Sequence, residues 1–367
     1  MGVQGTVARL SRIENDGRVD VGILADGHAV PLTFVPEAKP GEYLMLRLGI
    51  PVEVITLESG TRTLVSARTI GVALAFCSAL ISGVAAYLNG FAVRHFADTT
   101  VYTTAKNLVG GMLLLALVAA LRGRTPDTSR LATHRWQPLL AIAVVGGSVP
   151  FVLFFEGLRH SDATQAQFIQ KTLVVWVALL AVPFLHERIR WPHVAAMSML
   201  VLGQAWLVGG ADRIAFGTGE AMILCATLLW AVEVVYVKTL IPTIPPGTLA
   251  VARMGLGSLL LLAWVAVTGR LGALTSLDHA QWRWVLLTAI LQTAYVATWY
   301  AALARAQTID VTAMLVLGAL ITAALAGALN GTHVSILGAL LVATGCGLAA
   351  WLALRRPLEF ASARRPG

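Results

Sequence analysis

The stretch TTVYTTAKNLVGGMLLLALVAAL, residues 99–121, is apolar over a length that crosses a lipid bilayer. A helix needs about 20 mainly apolar residues to span the hydrocarbon core, and this stretch does so with a single charged side chain, Lys106. A charge near the bilayer centre costs from about 2.5 to more than 10 kcal/mol, so it normally faces water or a partner. The stretch therefore predicts a transmembrane helix whose lysine has a specific role.

The composition of the whole chain agrees with a membrane protein. Of the 367 residues, 57% are hydrophobic and 13% are charged, against about 25% charged in soluble domains. This excludes a soluble enzyme. The three cysteines, Cys77, Cys225 and Cys346, lie in apolar runs, which argues against disulfides, metal ligation and redox chemistry. We expect neither a cofactor nor a metal site.

The first 67 residues differ from the rest, because charged residues interrupt short apolar stretches. The segments Arg18–Ile23 and Tyr43–Leu48 predict strands, and Asp26-Gly27 and Pro40-Gly41 are turn signals. We expect residues 1–67 to form a small, soluble, cytoplasmic β-barrel.

Ten apolar segments follow. They predict transmembrane helices near 69–92, 99–121, 137–158, 163–185, 192–210, 217–239, 247–268, 282–304, 309–330 and 333–354. The predicted domains are thus the barrel at 1–67, a first five-helix repeat at 68–211, a second at 212–354, and a basic cytoplasmic tail at 355–367.

Basic residues are distributed unequally over the connecting segments. With the N-terminus inside, the inner segments hold most of the arginines, as in 122–135, whereas the outer ones keep few, such as Arg94 and Arg270. Cytoplasmic loops carry the excess of Lys and Arg in membrane proteins. The expected location is the cell inner (plasma) membrane, with both termini in the cytoplasm.

An internal repeat runs through the helical part. Thr99–Asn107 aligns with Pro246–Met254 at an offset of 147, which puts Lys106 and Arg253 in register. Because each half has five helices, an odd number, the halves enter the membrane from opposite sides. This is the inverted-repeat plan of many secondary transporters, whose substrate site lies between the repeats.

Further motifs carry a resemblance to a known family. Phe155–Leu158 and Pro183–Arg188 in the first half, and Leu228–Ala231 and Tyr300–Leu303 in the second, resemble the EamA-type drug/metabolite transporter superfamily across nearly all of 69–354. The resemblance implies a ten-helix carrier of small organic metabolites that works as an exporter or exchanger. It implies no particular substrate.

The N-terminal part resembles the small hydrogenase-maturation chaperones of the HypC type, through Pro40–Gly49 and Val52–Ile55. That family's reactive cysteine and its histidine are replaced here by Gly2 and Arg47. Only the small-barrel fold therefore carries over.

Two cations are the first candidates for substrate binding. Lys106 and Arg253 lie about eight residues into their helices, or roughly 12 Å deep at 1.5 Å per residue, from opposite faces. They predict a pair of positive groups that meet an anionic or zwitterionic substrate. The alternative left open is that they snorkel or cap helix carbonyls.

Polar and aromatic residues extend the candidate site. The further substrate-binding candidates are Gln167, Gln170 and Lys171 in the fourth helix, Trp230 in the sixth, and Gln292, Tyr295 and Trp299 in the eighth. Within the fourth and eighth helices they share one face, at spacings of three and four residues. The alternatives are interhelical hydrogen bonds for the polar residues and packing for the aromatic ones.

Two carboxylates are candidates for proton coupling, Glu233 inside the sixth helix and Glu156 near the outer end of the third. Desolvation favours protonation of a carboxylate and an approaching cation reverses this, which is the property that coupling needs. The alternatives are a structural partner of Lys238 or Arg253 for Glu233, and a solvated helix end for Glu156.

The sequence favours a secondary-active transporter of a small polar or anionic/zwitterionic metabolite that works by alternating access. The alternative is a membrane-anchored sensor or scaffold whose N-terminal barrel binds a ligand or partner protein. An enzyme is not expected, because no His pair, Ser/His pair or Asp dyad occurs at suitable spacing. The expected partners are a small-molecule substrate and the lipid bilayer, with a homodimer left open and no nucleic acid.

Overall fold

The computed structural model describes residues 6–15, 20–24, 29–32, 35, 38–47, 50–55, 57–122, 136–161, 163–209 and 216–355. The chain divides into two compact units, Met1–Thr69 with Leu354–Gly367, and Ile70–Ala353, and each is described by itself. The Asp26-Gly27 turn, Gly2, nearly all of the basic segment 122–135 and all but the first residue of the tail 355–367 lie outside the described residues.

Alternating apolar and polar residues form an antiparallel sheet in the first unit. Its strands are β1 (Thr6–Asn15), β2 (Asp20–Leu24), β3 (Ala29–Pro31), β4 (Tyr43–Arg47) and β5 (Ile50–Ile55), in the order β3-β2-β1-β4-β5. Its core is made of Leu10, Leu24, Val30, Leu32, Val35, Ala38 and Leu44.

The prediction of a β-barrel is wrong for the described residues. β3 and β5 stand at the two edges of the sheet and no ladder joins them within the described part of the chain, so the sheet is open. β1 pairs with β4 through Thr6–Arg9 and with β2 from Leu10 onward, with a register shift after Leu10. A closed barrel requires a ladder between its first and last strands, and β3, with three residues, offers few backbone groups for one.

The remaining elements are helices. They are α1 (Leu57–Ala92), α2 (Thr99–Arg122), α3 (Trp136–Ile142), α4 (Val149–Arg159), α5 (Ala163–Lys171), α6 (Leu173–Leu185), α7 (Trp191–Val208), α8 (Thr218–Leu240), α9 (Pro246–Val251), α10 (Gly257–Val267), α11 (Leu271–Thr275), α12 (His279–Leu303), α13 (Thr308–Leu315), α14 (Leu317–Asn330) and α15 (Ile336–Arg355). Two π-helices, π1 (Ala143–Ser148) and π2 (Ala252–Leu256), join α3 to α4 and α9 to α10.

Among the described residues, nine helical segments are long and apolar enough to cross a membrane. They agree with nine of the ten predicted segments, and their ends differ by at most three residues. The predicted segment 192–210 corresponds to α7, which is not among the nine. With 18 residues α7 is shorter than any of them, and it begins with the less apolar sequence Trp191-Pro192-His193. Nine of the ten predicted spanning helices are thus supported for the described residues, and the tenth, at α7, stays a prediction.

Four of the spanning segments are interrupted. π1 and π2 break the α-helical pattern of two segments, Thr172 separates α5 from α6, and Val316 separates α13 from α14. Thr172 and Val316 are 144 positions apart, close to the predicted repeat offset of 147. The inverted repeat itself stays a prediction. Single π-turns inside α-helices often mark functional sites, which directs attention to π1 and π2.

Candidate functional site

Arg253 is a buried cation on π2. Only 6% of the residue is exposed. Its Nε atom lies 3.7 Å from Oε1 of Glu233 on α8, beyond hydrogen-bond distance, and the Tyr300 hydroxyl donates to the same carboxylate oxygen at 2.6 Å. Within the described residues, Nε and Nη1 of Arg253 have no hydrogen-bond partner. Glu233 thus compensates the charge of Arg253 while leaving guanidinium N–H groups available to a further acceptor.

Lys106 is a second buried cation, on α2, with 2% of the residue exposed. Its Nζ atom lies 3.3 Å from Oδ1 of Asn89 on α1, and 5.2 Å and 5.0 Å from the ring centroids of Tyr102 and Phe155. The quadrupole of an aromatic ring attracts a cation, more strongly where water is excluded. Within the described part of the chain no carboxylate pairs with Lys106, so its charge is available to an anion.

An aromatic wall connects the two cations. The guanidinium carbon of Arg253 lies 5.9 Å from the ring centroid of Phe151, which stacks on Phe155 at 6.5 Å with an interplanar angle of 9°. Trp230 meets Phe151 edge-on at 5.5 Å and donates its indole N–H to a backbone carbonyl of π1 at 3.1 Å. Lys106 therefore contacts one end of this wall and Arg253 the other. We call this set the central cluster: Lys106, Arg253, Glu233, Tyr300, Phe151, Phe155 and Trp230.

Glycines in π1 and α10 allow the close approach that builds the cluster. A Cβ atom at Gly147 would overlap the backbone carbonyl of Arg253, and one at Gly257 would lie 2.7 Å from the backbone of Gly147. Gly146 likewise leaves room for the side chain of Glu233. Only glycine permits backbones to meet at this distance. These glycines allow π1, π2 and α8 to pack closely around Arg253 and Glu233.

The profile of the EamA-like transporter family matches residues 69–209 and again residues 217–352. The chain belongs to the EamA-like transporter family. The N-terminal sheet lies outside both matches. The resemblance inferred from the motifs of the helical part is thereby confirmed.

Two further likenesses agree with this membership. An uncharacterized transporter of Synechocystis is 26% identical over 198 residues, which cover 50% of this chain and 55% of that protein. The chain thus spans about half the length of this curated relative. A solved structure titled only as the crystal structure of a protein has a TM-score of 0.64 at 18% identity, and the match covers 79% of this chain and 98% of that chain. That likeness shows the fold alone.

The EamA-like membership and the apolar helices identify a multi-pass membrane protein. The matched family is described as one of transporters, and the Synechocystis relative is named an uncharacterized transporter. Within the described residues, no three His, Cys, Asp or Glu side chains are grouped as metal ligands.

The fourth-helix candidates lie on α5, which packs against α8. Lys171 ends α5, is 5% exposed, and donates to the Ser82 hydroxyl on α1 at 3.4 Å. Gln167 and Gln170 are half-buried. No hydrogen bond or ion pair joins these three candidates to the central cluster within the described residues. A lysine at the end of a helix is also stabilised by the helix dipole. This local interaction accounts for the position of Lys171 without a bound substrate.

The eighth-helix candidates lie on α12, which also carries Tyr300. Tyr295 and Trp299 stack with ring centroids 6.1 Å apart, and the Gln292 side-chain amide donates to the sulfur of Met254 at 4.0 Å. Met254 follows Arg253 on π2, so this face of α12 packs beside the central cluster. Their role in substrate binding stays a prediction.

The two proton-coupling candidates differ in their surroundings. Glu233 is 2% exposed and belongs to the central cluster. Glu156 keeps 32% of its side chain exposed and lies 3.8 Å from Nε2 of His160, one turn further along α4. The structure thus brings together Lys106, Arg253, Trp230 and Glu233, and leaves Glu156 near a helix end.

Sequence reasoning missed several residues of the site and its surroundings. Phe155 and Tyr300 each begin a family motif, Phe155–Leu158 in the first half and Tyr300–Leu303 in the second, and this shared first position is the signal that could have marked them as a pair. Phe151, Asn89 and Tyr102 gave no signal, because apolar and uncharged residues on a spanning helix do not reveal which neighbour they contact.

Contacts between the predicted halves occur at both ends of the bundle. Arg270 donates to Asp98, ahead of α2, at 3.0 Å. Glu187, after α6, accepts the backbone N–H groups of Thr308 and Ile309 at 2.8 Å and 3.1 Å. Because successive spanning segments reverse direction, these contacts lie at opposite ends. Glu187 therefore serves as the partner of a helix end, as expected for the N-terminus of α13.

Proposed function

We propose that this chain is a secondary-active transporter that exports or exchanges a small anionic or zwitterionic metabolite by alternating access. The two predicted halves rock around a site at the central cluster. The protein lies in the inner (plasma) membrane with both termini in the cytoplasm, as the distribution of basic residues favours.

The observation that carries the proposal is the burial of Lys106 and Arg253 against one aromatic wall, with N–H groups of Arg253 unpartnered within the described residues. Each is seven positions from the start of its helix, α2 or α9, or roughly 10 Å along it. Burying a charge without a full set of hydrogen-bond partners costs free energy. A purely structural role for Arg253 predicts that its guanidinium N–H groups have partners within the protein. An arriving anion supplies the missing acceptor.

The contacts between the halves at both ends support alternating access. The Asp98–Arg270 ion pair and the hydrogen bonds of Glu187 to α13 hold the halves together on both sides of the cluster. A substrate enters only when one set of contacts breaks. An anion that draws the two cations together supplies differential binding energy for such a movement.

The test is transport by purified protein in vesicles. We expect counterflow of at least one of lactate, succinate and L-alanine, and none of putrescine, because the site presents cations. Lys106→Ala and Arg253→Ala should each lower the rate at least 10-fold, which corresponds to about 1.4 kcal/mol of lost substrate stabilisation.

The matched control is Arg283→Ala, which removes an exposed arginine of α12. It should transport like the parent. All three variants should reach the membrane in equal amounts, as judged by immunoblot and size-exclusion profile. Parent-like counterflow by Lys106→Ala and Arg253→Ala would refute the assignment of the site.

A further inference from the structure

The strongest unexplained feature of the spanning region is Asn107, beside Lys106 on α2. The residue is 1% exposed, and within the described residues neither Oδ1 nor Nδ2 of its amide has a hydrogen-bond partner. Burying an amide without hydrogen-bond partners is destabilising. A spanning helix that keeps such a group gains nothing in stability from it, which points to a use in binding.

The face of α2 that carries Asn107 packs against π2. Gly111 is one helical turn further on, and a Cβ atom there would lie 3.2 Å from the Cα atom of Gly255 and the carbonyl oxygen of Met254. Residues four apart on a helix share a face. Asn107 therefore lies on the side of α2 that faces the segment carrying Arg253.

Thr104 adds a second polar group to this face. It is three residues before Asn107, fully buried, and its hydroxyl has no partner within the described residues. Neighbouring Thr103 behaves differently, because its hydroxyl donates to the backbone carbonyl of Thr99 at 2.8 Å. Both facing elements thus carry unpartnered polar atoms, the Asn107 amide and the Thr104 hydroxyl on α2 and the guanidinium on π2, and the others among the described residues belong to Thr99, Gln307 and Thr308.

We propose that Asn107, with Thr104, forms a second half of the substrate site and sets its specificity. Arg253 receives the carboxylate of the substrate, and Asn107 receives the group on the adjacent carbon. A carboxamide offers one acceptor and two donor hydrogens, so it matches a group that can donate to it, a hydroxyl or an ammonium. The substrate class is a small 2-hydroxy or 2-amino carboxylate, and the inference rests on the function proposed above.

The amide of Asn107 predicts weaker binding of an analogue that lacks the hydroxyl or ammonium group on the second carbon. Propionate, lactate and L-alanine have the same three-carbon skeleton and differ only at the second carbon. Binding propionate would leave the amide of Asn107 buried and unpartnered, and a site built around a hydrogen bond rejects the analogue without it. We expect the parent to bind lactate or L-alanine at least 10-fold more tightly than propionate.

The experiment measures dissociation constants of the three probes, and of succinate, for the full-length protein in detergent by thermal shift and calorimetry. Asn107→Leu, of similar volume, should bind lactate, L-alanine and propionate with equal affinity. Asn107→Asp should favour L-alanine over lactate, because a carboxylate attracts the ammonium group. Thr103→Val is the matched control, since that hydroxyl is already bonded within α2, and it should keep the parent's preference.

The melting temperature of Asn107→Leu tests the proposal even if this variant binds none of the probes. Without ligand, Asn107→Leu should melt no lower than the parent, because it removes an unpartnered polar group. A lower melting temperature would show that the amide has a structural partner and would overturn the proposal. Equal affinity of the parent for all three probes would overturn it too, while succinate binding would leave the proposed function standing. Absence of any carboxylate binding by the parent would refute both.

Discussion

Arg253 and Lys106 are accommodated in the spanning region by different chemistry. Arg253 is charge-compensated by Glu233 and is a planar donor with N–H groups in fixed directions, suited to a carboxylate. Lys106 has an amide oxygen and two aromatic rings, which stabilise a compact cation without neutralising it. We therefore expect the proposed anionic substrate to be oriented by Arg253 and attracted by Lys106.

Glu233 is the residue on which proton coupling is expected to depend. The carboxylate of Glu233 offsets the charge of Arg253, so removal of that negative charge strengthens the attraction of Arg253 for an anionic substrate. Glu233→Gln keeps an acceptor for the Tyr300 hydroxyl and loses the charge. We expect this variant to exchange substrate across vesicles and to lose at least 10-fold in accumulation driven by a pH gradient, measured in the same proteoliposomes.

Glu156→Gln is the control for this prediction, because Glu156 is the other carboxylate considered for coupling and lies near a helix end beside His160. It should accumulate substrate like the parent. If Glu233→Gln still accumulates substrate under a pH gradient, the coupling site is elsewhere.

At the scale of elements, the position of π2 depends on the glycines that face it. Gly147 and Gly257 bring two backbones into direct contact, and the carbonyl of Arg253 lies where a Cβ of residue 147 would stand. Backbone cannot move aside as a flexible side chain does. The geometry of Arg253 is thus set by the packing of π1 on π2.

Gly147→Ala should therefore destabilise the protein and disturb the site together. Overpacking of this kind typically costs about 1–3 kcal/mol, and we expect a lower melting temperature in detergent with weaker substrate binding. Gly255→Ala is the matched control on π2, where the nearest atom to an added Cβ is 3.8 Å away. It should melt at or above the parent temperature. A Gly147→Ala variant as stable as the parent would contradict the close contact.

Elements were more predictable than the contacts between them. Apolar length alone located nine spanning segments to within three residues, since the bilayer fixes that length. The barrel was wrong because strand alternation shows which residues form strands but not whether edge strands pair. Lys106 and Arg253 stood out by charge, whereas Phe151 and Asn107 did not, because their importance lies in neighbours from other helices.

At the scale of the whole molecule, the transporter family matches 69–209 and 217–352, while the sheet precedes both matches. The central cluster is built entirely from α2, α4, α8, α12 and π2. The machinery proposed for transport is therefore contained in the helical part of the chain.

Removal of the sheet tests whether the chain works as a transporter or as a membrane-anchored sensor. A chain that begins at Leu57, the first residue of α1, keeps every residue of the central cluster. We expect it to insert in the membrane and to retain most of the parent's counterflow, because no group that binds substrate has been lost. Arg253→Ala in the shortened chain should abolish that flux, which serves as the control for leakage. A shortened chain that inserts normally yet transports nothing would assign an essential role to the sheet and favour the sensor.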